Sequence, residues 1–441
     1  MQQIQDEKIS LINGRIHTRS GIASSIAIKH GRIISINDEL DSPDGKFIDL
    51  HGRTVLPGFC DTSFDFLSWA EEQDRLDINN VHSLKELSDS LTAYAQANPT
   101  PLRGWYVAYN LPENINITHE NIDTIIPSVP CAVIDSKNNR IVLNSPAMNE
   151  LNMPQDNVEP EDFSAHLPEL NERDIKHLIE TYSKKINSLG ITEIWSDFYS
   201  QGNAQKLWKI FLNEAYDSLT FRLRCNFGFN EANELNELLA LGIRTGDGLP
   251  FCKLGGILID GSLEQSEQKN MIYSAHLSGC QIITDNNKSC LNALERVSKK
   301  IRKPTRHLIK NFTGGIIERM KLLGLGGLVV SEQSNEFLHE AFLNGIVISQ
   351  GSGKILKAPV ENISRLIENG LSVAEALNIF SWGAAWNGRN DSRRGEIATG
   401  SDADLVVLEK DPFSVKPEEI SGIDISMTFS AGRVVYDSGA V

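Results

Sequence analysis

The sequence lacks the long apolar runs, paired cysteines and excess positive charge that mark several classes of protein. No uninterrupted apolar run reaches the roughly 20 residues needed to cross a bilayer. The opening residues, MQQIQDEKIS, have neither the cationic nor the apolar region of a secretion signal. The net charge of −16 argues against a general nucleic-acid surface or attraction to anionic lipid. We therefore expect a cytoplasmic protein that binds neither nucleic acid nor membrane.

Cysteine is sparse and scattered, with no CxxC or CxxH pair. Several cysteines stand in apolar, strand-like runs, where this side chain behaves as a small buried hydrophobe. Neither a disulfide framework nor the spacing of zinc ligands is present. We expect structural thiols at all six positions, which are Cys60, Cys131, Cys225, Cys252, Cys280 and Cys290.

Short strand-like runs occupy both ends of the chain. They are separated by tight glycine turns, and glycine supplies the positive φ that such hairpins need. The turns are Asn13-Gly14, His30-Gly31, His51-Gly52 and Ala431-Gly432. Because neither end has enough strands for a stable sandwich of its own, residues 1–54 and 394–441 are expected to form one small composite β-sandwich domain.

Between the two ends, eight β-rich runs alternate with helix-like stretches. This alternation predicts an α/β protein with a (β/α)₈, TIM-like barrel over residues 55–393 and an insertion at about 70–180. An open doubly wound sheet is the second choice, and the absence of a glycine-rich phosphate loop after the first strand weighs against it. The eight runs are TVLPGFCD, ITEIWSD, FRLRCNF, GGILID, QIITD, HLIKNF, GLVVSEQ and IVISQG.

Several motifs spread along the chain resemble one family of metal-dependent hydrolases. The run VLPGF at 55–59 resembles the entry to its barrel, and GSDADL at 400–405 resembles the end of its G-x-I-x-x-G-x-x-A-D-L signature. Further matching segments are Gly104-Trp105, residues 127–130, residues 144–147, residues 260–263 (DGSL) and residues 371–377 (LSVAEAL). The chain is similar to the amidohydrolase superfamily, specifically its YtcJ-like branch, amidohydrolase family 3.

This resemblance implies what an active member would contain. One or two divalent metals, zinc or similar, sit at the carboxyl ends of the barrel strands. They are held by His-x-His after strand 1, often a carboxylated lysine on strand 4, histidines on strands 5 and 6, and an aspartate after strand 8. Imidazole and carboxylate hold such a metal and leave a position for water. The metal then lowers the pKa of that water and polarises the scissile carbonyl.

The corresponding positions of this chain carry other residues. The strand-4 run GGILID lacks the lysine, and Lys253 lies just before this run, too far from the barrel mouth to substitute. The former metal-ligand positions are Ser63, Asp65, Asp285, Asn311 and Gly353. In the insertion, Asn139 stands at the last position of the segment that resembles the Asp-Gly-His motif of the branch. Because the losses fall on sites far apart in the sequence, we expect no metal or other cofactor and no catalytic residue of the family type.

The sequence leaves open other roles for the side chains near these positions. Asp65, Asp260, Asp285 and Asn311 could form an oxygen-rich site for Mg²⁺ or Ca²⁺. Asp61 is expected to order the strand-1 loop by capping. His307 is expected to be structural, although Asp260, His307 and Asn139 are also candidates for lining a pocket. A Ser-His-Asp site would need Ser63 or Ser352 beside His307, and no G-x-S-x-G elbow occurs.

Two functional hypotheses follow. The first is a pseudoenzyme with the amidohydrolase fold that binds a small-molecule ligand or a partner at the barrel mouth. The alternative is a hydrolase of non-peptide carbon–nitrogen bonds with an atypical, oxygen-ligated metal. The resemblance also implies a homo-oligomer.

Overall fold

The computed structural model describes residues 8–37, 45–135, 137, 140–152, 163, 166–199, 204–301, 305–310, 327–330 and 337–439. Within these ranges the chain has a mixed α/β fold. It divides into two compact units, one formed by Met1–Phe66 with Glu180–Val441 and the other by Leu67–Ile179. Asn139 and Asn311, two positions singled out above, lie outside the described residues.

The larger unit contains a curled sheet in which eight parallel strands follow one another in chain order. A bridge between Phe64 and Gly353, and a 3.2 Å hydrogen bond from the Thr62 amide to the Gln350 carbonyl, join the first strand to the last. The strands are β1 (Phe59–Asp61), β2 (Ile191–Tyr199), β3 (Arg222–Gly228), β4 (Cys252–Ile259), β5 (Ile282–Asp285), β6 (Leu308–Lys310), β7 (Gly327–Val330) and β8 (Val347–Gln350). Each of the eight β-rich runs of the sequence therefore overlaps a strand of this sheet.

Helices connect these strands because the intervening stretches carry apolar residues at helical spacing. The described helices of these connections and of the segment after β8 are Glu172–Asn187, Ala204–Asp217, Ala232–Ala240, Gln265–Leu277, Lys288–Lys300, Leu338–Leu343, Pro359–Glu368, Val373–Ile379 and Trp382–Asn387. A short strand, Gly248–Leu249, pairs antiparallel with the start of β4. The helix Pro417–Ile420 lies nearer the C-terminus.

Side-chain contacts identify the two faces of the curled sheet. Phe198 of β2 packs on Phe211 of the helix Ala204–Asp217, with ring centroids 5.0 Å apart, so Phe198 faces the helices. Since successive strand residues alternate between faces, Trp195 points to the inside. There it joins a buried apolar cluster with Cys60, Leu258, Ile283, Leu308 and Ala384.

Strands from both ends of the chain share a second sheet. Leu405–Leu408 pairs with Thr54–Pro57, so the C-terminal strands continue the N-terminal ones. The order in this six-stranded sheet is Arg433–Asp437, Ile425–Ser430, Leu405–Leu408, Thr54–Pro57, Arg15–Thr18 and Gly21–Ala23. A four-stranded sheet contains Arg32–Ile36, Ile26–Lys29, Ile9–Ile12 and Lys46–Asp49. Leu11, Leu405 and Phe429 belong to one buried core that residues of both sheets build.

The run TVLPGFCD, taken above as one strand, is two strands in different sheets. Thr54–Pro57 belongs to the six-stranded sheet, and β1 begins at Phe59. Gly58 stands between them against Thr192, where an added Cβ would lie 2.4 Å from the threonine hydroxyl. The chain changes sheets at a residue without a side chain because nothing larger fits against β2.

The smaller unit has a sheet of its own in the order Arg140–Leu143, Cys131–Asp135, Tyr106–Tyr109 and Leu76–Asp77. Its helices are Phe66–Asp74, Leu84–Ala97, His119–Ile125 and Ser145–Leu151, with a 3₁₀ turn at Leu102–Gly104. Leu87, Ile122 and Val133 are fully buried in one of its cores. Here the side chain of Ser83 accepts the Glu86 amide and begins the helix Leu84–Ala97.

None of the described helices is both long enough and apolar enough to cross a bilayer. All six cysteines are buried, and none is in a disulfide. Burial raises the pKa of the Cys131 thiol to about 12. Such a thiol is protonated at neutral pH, as expected of a cysteine that serves packing.

Candidate ligand site at the carboxyl ends of the parallel strands

Four charged side chains lie on the inward face of the curled sheet, at or near the carboxyl ends of β2, β4, β5 and β6, and together they are called the inward layer. Each stands two residues after a member of the interior apolar cluster, and strand alternation returns it to the same face. The strand register places Asp285 and Lys310 side by side, because Ile283 pairs with Leu308 and Asp285 pairs with Lys310. The four residues are Asp197, Asp260, Asp285 and Lys310.

Lys310 and Asp197 form an ion pair within this layer. The Nζ atom of Lys310 contacts Oδ2 of Asp197, and the two side chains are 13% and 20% exposed. The strands that carry them, β6 and β2, are not neighbours in the sheet. The lysine therefore reaches across the inside of the curled sheet, and its ammonium group is partly withdrawn from water.

Asn226 holds the aspartate of this pair in place. Its Nδ2 donates to Oδ1 of Asp197 at 2.8 Å, and its Oδ1 accepts the Gly256 amide at 2.8 Å. Asn226 is fully buried. A Cβ at residue 255 would lie 2.0 Å from the Asn226 oxygen, so glycine at that position leaves room for the amide. The orientation of Asp197 is consequently set by β3 and β4.

Tyr199 lies close to the carboxylates of the layer. Desolvation of its hydroxyl, followed by the negative charges of Asp197, Asp285 and Asp260, raises the pKa of the Tyr199 phenol to about 12. The residue as a whole is 59% exposed, so the ring is accessible even though its oxygen has these charged neighbours. The phenol remains a hydrogen-bond donor at neutral pH.

Residues at the ends of β1 and β8 are joined by backbone hydrogen bonds and by the capping side chain of Asp61. Asp61 accepts the amide of Ser63 at 3.1 Å, the amide of Ser352 at 3.1 Å and the hydroxyl of Ser352 at 2.5 Å. The Asp65 amide donates to the Gly353 carbonyl at 3.1 Å, and the Gly353 amide donates to the Ser63 carbonyl at 2.6 Å. Asp61 thus orders these loops, which is the capping role expected of it.

Gly353 adopts a backbone conformation that disfavours a side chain. Its φ is +71°, in the left-handed region where a Cβ meets the following carbonyl. Nothing lies within 4 Å of the place where its Cβ would be. Backbone conformation, not crowding, is therefore what favours glycine at residue 353.

The structure places His307 away from this layer. It precedes β6, at the amino end of the strand, and it is only 2% exposed. Its Nε2 lies 2.9 Å from Nδ1 of His276, and its Nδ1 accepts the Ile282 amide at 3.0 Å. Burial, and then the neighbouring His276 and Arg389, hold the pKa of His307 well below its usual range. His307 therefore tethers β5 and the helix Gln265–Leu277, and it is not brought together with Asp260 or Ser63.

The amino end of the curled sheet is closed by other polar contacts. Arg224 is fully buried, with its pKa lowered to about 10 chiefly by burial, and it donates to the Gln281 side chain at 2.6 Å and the Gly388 carbonyl at 3.0 Å. Its guanidinium lies 4.7 Å from the centre of the Trp195 ring. Buried polar and aromatic side chains therefore fill the inside of the sheet near this end.

Sequence reasoning missed Lys310, Asp197 and Asn226. The signal that could have found them is the apolar alternation: Leu308 and Ile283 are the inward residues of β6 and β5, which makes Lys310 and Asp285 inward as well. The sequence interpretation instead took Asn311 as the site position of β6. By strand alternation that position shares the face of His307, which is opposite to the face of Lys310. In the described part of the chain, no three side chains among His, Cys, Asp and Glu are arranged so that they could hold a metal ion.

Comparison with known proteins identifies the family. The family model of the amidohydrolases matches residues 46–255 and 355–436, which is more than half of the chain. The chain belongs to the amidohydrolase family. The interval between the two matched segments, residues 256–354, holds Asp260, Asp285, Lys310 and Gly353.

Individual relatives are distant. The chain is 20% identical to YtcJ of Bacillus subtilis (strain 168), which its name assigns to the amidohydrolases, over 91% of this chain and 92% of that protein. It is 29% identical to the exoenzymes regulatory protein AepA of Pectobacterium carotovorum subsp. carotovorum, over 34% of this chain and 35% of AepA. It is 25% identical to the N-substituted formamide deformylase of Arthrobacter pascens, over 36% of this chain and 32% of that enzyme. The last two alignments thus span about a third of each relative.

Solved structures share the fold of this amidohydrolase-family chain. An uncharacterized metal-dependent hydrolase from Pyrococcus furiosus superposes with a TM-score of 0.74 at 17% identity, covering 92% of this chain and 100% of that one. An amidohydrolase from an environmental sample of the Sargasso Sea superposes with a TM-score of 0.61 at 14% identity, covering 98% and 94%. At these identities the likeness concerns the fold alone.

Proposed function

We propose that this chain is a non-catalytic member of the amidohydrolase family that has lost the metal centre and binds a small-molecule ligand at the carboxyl ends of the parallel strands. The observation that carries the proposal is the Lys310–Asp197 ion pair, which puts an ammonium group in the inward layer. Catalysis by the family's route needs a divalent cation among neutral imidazoles and carboxylates. The described residues of this layer do not fit that requirement.

Electrostatics supports this interpretation. A fixed positive charge about 4 Å from a divalent cation costs several kcal/mol at the effective dielectric of a partly buried site. One oxygen of Asp197 contacts the ammonium and the other accepts from Asn226. Asp61 is committed to Ser63 and Ser352. Two carboxylates that could face a cation are therefore already engaged by the protein.

The finer architecture belongs to the same proposal. We infer a (β/α)₈ barrel from the bridge between Phe64 and Gly353 and from the helices that follow the strands. The shared sheet of Thr54–Pro57 and Leu405–Leu408 supports a composite β-sandwich of residues 1–54 and 394–441. The barrel then comprises residues 55–393 with an insertion at about 70–180.

One observation favours the alternative, a hydrolase of carbon–nitrogen bonds with an oxygen-ligated metal. Asp260 and Asp285 lie near enough to Tyr199 for both charges to raise the pKa of its phenol to about 12, after desolvation and Asp197. Two carboxylates in the inward layer would supply some of the oxygen ligands that such a metal site needs. A cation bound by these two carboxylates would still share the inward layer with the positively charged Lys310 ammonium.

Metal analysis separates the two functions. The full chain is purified without chelator, incubated with Zn²⁺ or Mn²⁺, desalted and analysed for bound metal. Hydrolysis of an N-substituted formamide and of a simple amide is followed on the same material. We expect well under one metal per chain and no turnover above buffer. One tightly bound equivalent with metal-dependent turnover would overturn the proposal and favour the hydrolase. Light scattering on the same preparation tests the expected homo-oligomer.

A further inference from the structure

We propose that this chain forms a homodimer through one edge of its six-stranded sheet, where the strand Gly21–Ala23 pairs antiparallel with the same strand of a second copy. This strand ends the sheet beside Arg15–Thr18. An unpaired edge presents backbone amides and carbonyls to which another strand can add. The partner that fits is a second copy, because the edge is complementary to itself.

The strand Gly21–Ala23 lacks the protection that the other sheet edges carry. Proteins keep edge strands from associating by placing charged residues or proline on them. In the described chain, the two sheets at the chain ends and the sheet of the smaller unit have six edge strands. Five of them contain a charged residue, and Gly21–Ala23 contains none. The five are Arg32–Ile36, Lys46–Asp49, Leu76–Asp77, Arg140–Leu143 and Arg433–Asp437.

The backbone of Ile22 faces the open side of this edge. Successive residues of a strand direct their amide and carbonyl alternately to its two sides. Arg15 donates its amide to the Arg53 carbonyl at 2.8 Å, on the side away from Gly21–Ala23. His17, two residues later, points its backbone groups to that side as well. The cross-strand pair of His17 and Ile22 is therefore of the non-hydrogen-bonded kind, and the Ile22 amide and carbonyl point outward.

Pairing about Ile22 seats the turn of each copy in a groove of the other. Two copies related by a two-fold axis at Ile22 exchange its amide and carbonyl, which gives two hydrogen bonds. Ala23 then lies opposite the partner's Gly21, and Ser24 lies opposite the partner's Ser20. An open groove of about 430 Å³ borders this end of the strand, and such a volume accommodates the two residues of a turn. Its lining includes Arg15, Ala23, Ser24, Asn37 and Gly52.

An apolar strip leads to the same edge. Ile22 is 54% exposed, and it shares a face with His17, its direct cross-strand neighbour. His17 stacks on Phe413 with ring centroids 4.7 Å apart, and Phe413 is 44% exposed. Burial, against the charge of Asp411, lowers the pKa of His17, so the ring is largely uncharged at neutral pH. In the dimer the two Ile22 side chains adjoin, and the strips of both copies become continuous.

Charge permits this contact, and its small size limits its strength. Arg15 pairs with Asp411, and Arg19 of the turn lies 3.6 Å from Glu396. Because each arginine has a carboxylate of its own chain, the two copies bring no unpaired like charges together. A strand of three residues supplies few hydrogen bonds, and interfaces below about 1,200 Å² belong to transient complexes. We therefore expect a monomer–dimer equilibrium and not a permanent dimer.

Sedimentation velocity of the full chain tests the dimer. Between about 1 µM and 500 µM the sedimentation coefficient should rise from that of a monomer toward that of a dimer. Ile22→Lys sets two ammonium groups opposite each other across the two-fold axis and should raise the Kd at least about tenfold. Ile22→Val should leave it within about threefold. Ile34→Lys is the matched control, since Ile34 is 42% exposed on the edge strand Arg32–Ile36, and it should leave the Kd unchanged.

Cysteine cross-linking tests the register. All six native cysteines are buried, so a cysteine introduced at the edge is the accessible thiol. The Cα atoms of a hydrogen-bonded antiparallel pair are about 5.5 Å apart, which a disulfide can span. With diamide as the oxidant, Ile22→Cys should give a disulfide-linked dimer at least about tenfold faster than Ser24→Cys, because the register sets residue 24 opposite residue 20 and not opposite itself.

Each outcome decides the proposal. A monomer at every concentration would overturn it and leave the edge to an extended segment of another protein. A dimer that Ile22→Lys leaves intact would also overturn it and assign the association to another surface. Cross-linking through Ser24→Cys as fast as through Ile22→Cys would contradict the self-complementary register. Far-ultraviolet circular dichroism verifies the folding of each variant, and the two cysteine variants supply the decisive comparison if Ile22→Lys unfolds.

Discussion

Asp61 accepts hydrogen bonds from both the amide and the hydroxyl of Ser352, at 3.1 Å and 2.5 Å, although the two residues are 291 positions apart. The contact ties the end of β1 to the residue just beyond β8. It engages a 4% exposed carboxylate in holding the two edges of the curled sheet together.

Removing the Ser352 hydroxyl should therefore destabilise the protein. Ser352→Ala leaves Asp61 with one charge-assisted hydrogen bond fewer, and such bonds contribute about 1.5–3 kcal/mol. We expect a loss of that order in the free energy of unfolding from urea titrations. Ser63→Ala is the control, since Ser63 donates its backbone amide to Asp61, and should cost less than about 0.5 kcal/mol. Equal effects would show that the Ser352 hydroxyl contributes nothing specific.

Reversing the charge at residue 310 should create affinity for a divalent cation. Lys310→Glu replaces the ammonium with a carboxylate in the layer of Asp197, Asp260 and Asp285. The change in Coulomb energy amounts to several kcal/mol, so we expect Mn²⁺ to bind at least about tenfold more tightly than to the unchanged chain by titration calorimetry. Lys310→Met, which removes the cation without adding an anion, should fall between them. No gain in the Glu variant would mean that the layer does not face a common point.

His307 should make the stability depend on pH on the acid side. Burial, His276 and Arg389 lower its folded pKa well below the ordinary value, so an unfolded chain takes up a proton near pH of about 6.5 and the folded chain does not. The unfolded state then binds more protons as the pH falls. The free energy of unfolding should decrease below that pH by up to about 1.4 kcal/mol per unit, and this contribution should be constant above it.

Urea unfolding at a series of pH values checks this sign. His307→Gln should be less stable at neutral pH but should lose stability less steeply on acidification. The exposed His82 offers a control in His82→Gln, whose pH curve should parallel that of the unchanged chain. A parallel curve for His307→Gln would instead assign the acid sensitivity to other groups.

A buried ionic cluster should be essential to the larger unit. Arg222 donates to both oxygens of Asp404, at 2.7 Å and 3.2 Å, with both side chains under 10% exposed. Arg222 and Arg394 also hold the pKa of Asp402 below its usual range, against the effect of burial. Asp404→Asn leaves Arg222 without its bidentate partner, and we expect a loss of about 3–5 kcal/mol in unfolding free energy.

The matched surface pair is Lys299 with Glu295, 2.7 Å apart, whose lysine side chain is 70% exposed. Lys299→Ala should cost less than about 1 kcal/mol, because water already solvates both charges. Comparable losses from Asp404→Asn and Lys299→Ala would contradict a structural role for the buried cluster.

Local signals in the sequence predicted much of the fold. Turns occur at Asn13-Gly14 and His30-Gly31 as expected, and Gly31 has the expected positive φ of 74°, whereas at the first turn the positive φ of 55° belongs to Asn13 and not to Gly14. The same signals did not predict that TVLPGFCD changes sheets at Gly58, since the cause is the proximity of Thr192. A contact between residues so far apart in the chain leaves no trace in either local pattern.

For the site, too, some features were evident from the sequence and others only from the structure. Ser63, Asp65 and Gly353 were singled out from their positions in the motifs, and Asp61 caps as expected. Lys310 was overlooked because a three-residue strand, β6, does not reveal by itself which face is inward. Only the pairing of Asp285 with Lys310 and the packing of Leu308 show that Lys310 faces inward.

The sequence by itself determined the family and the alternation of strands and helices, because these depend on residue types and short-range spacing. The tertiary structure alone decided that the amine of Lys310 meets the carboxylate of Asp197 and that His307 lies at the amino end with His276. Curling the sheet brings non-adjacent strands to within a side chain's length of each other, and that distance is a property of the closed sheet, not of any segment in it.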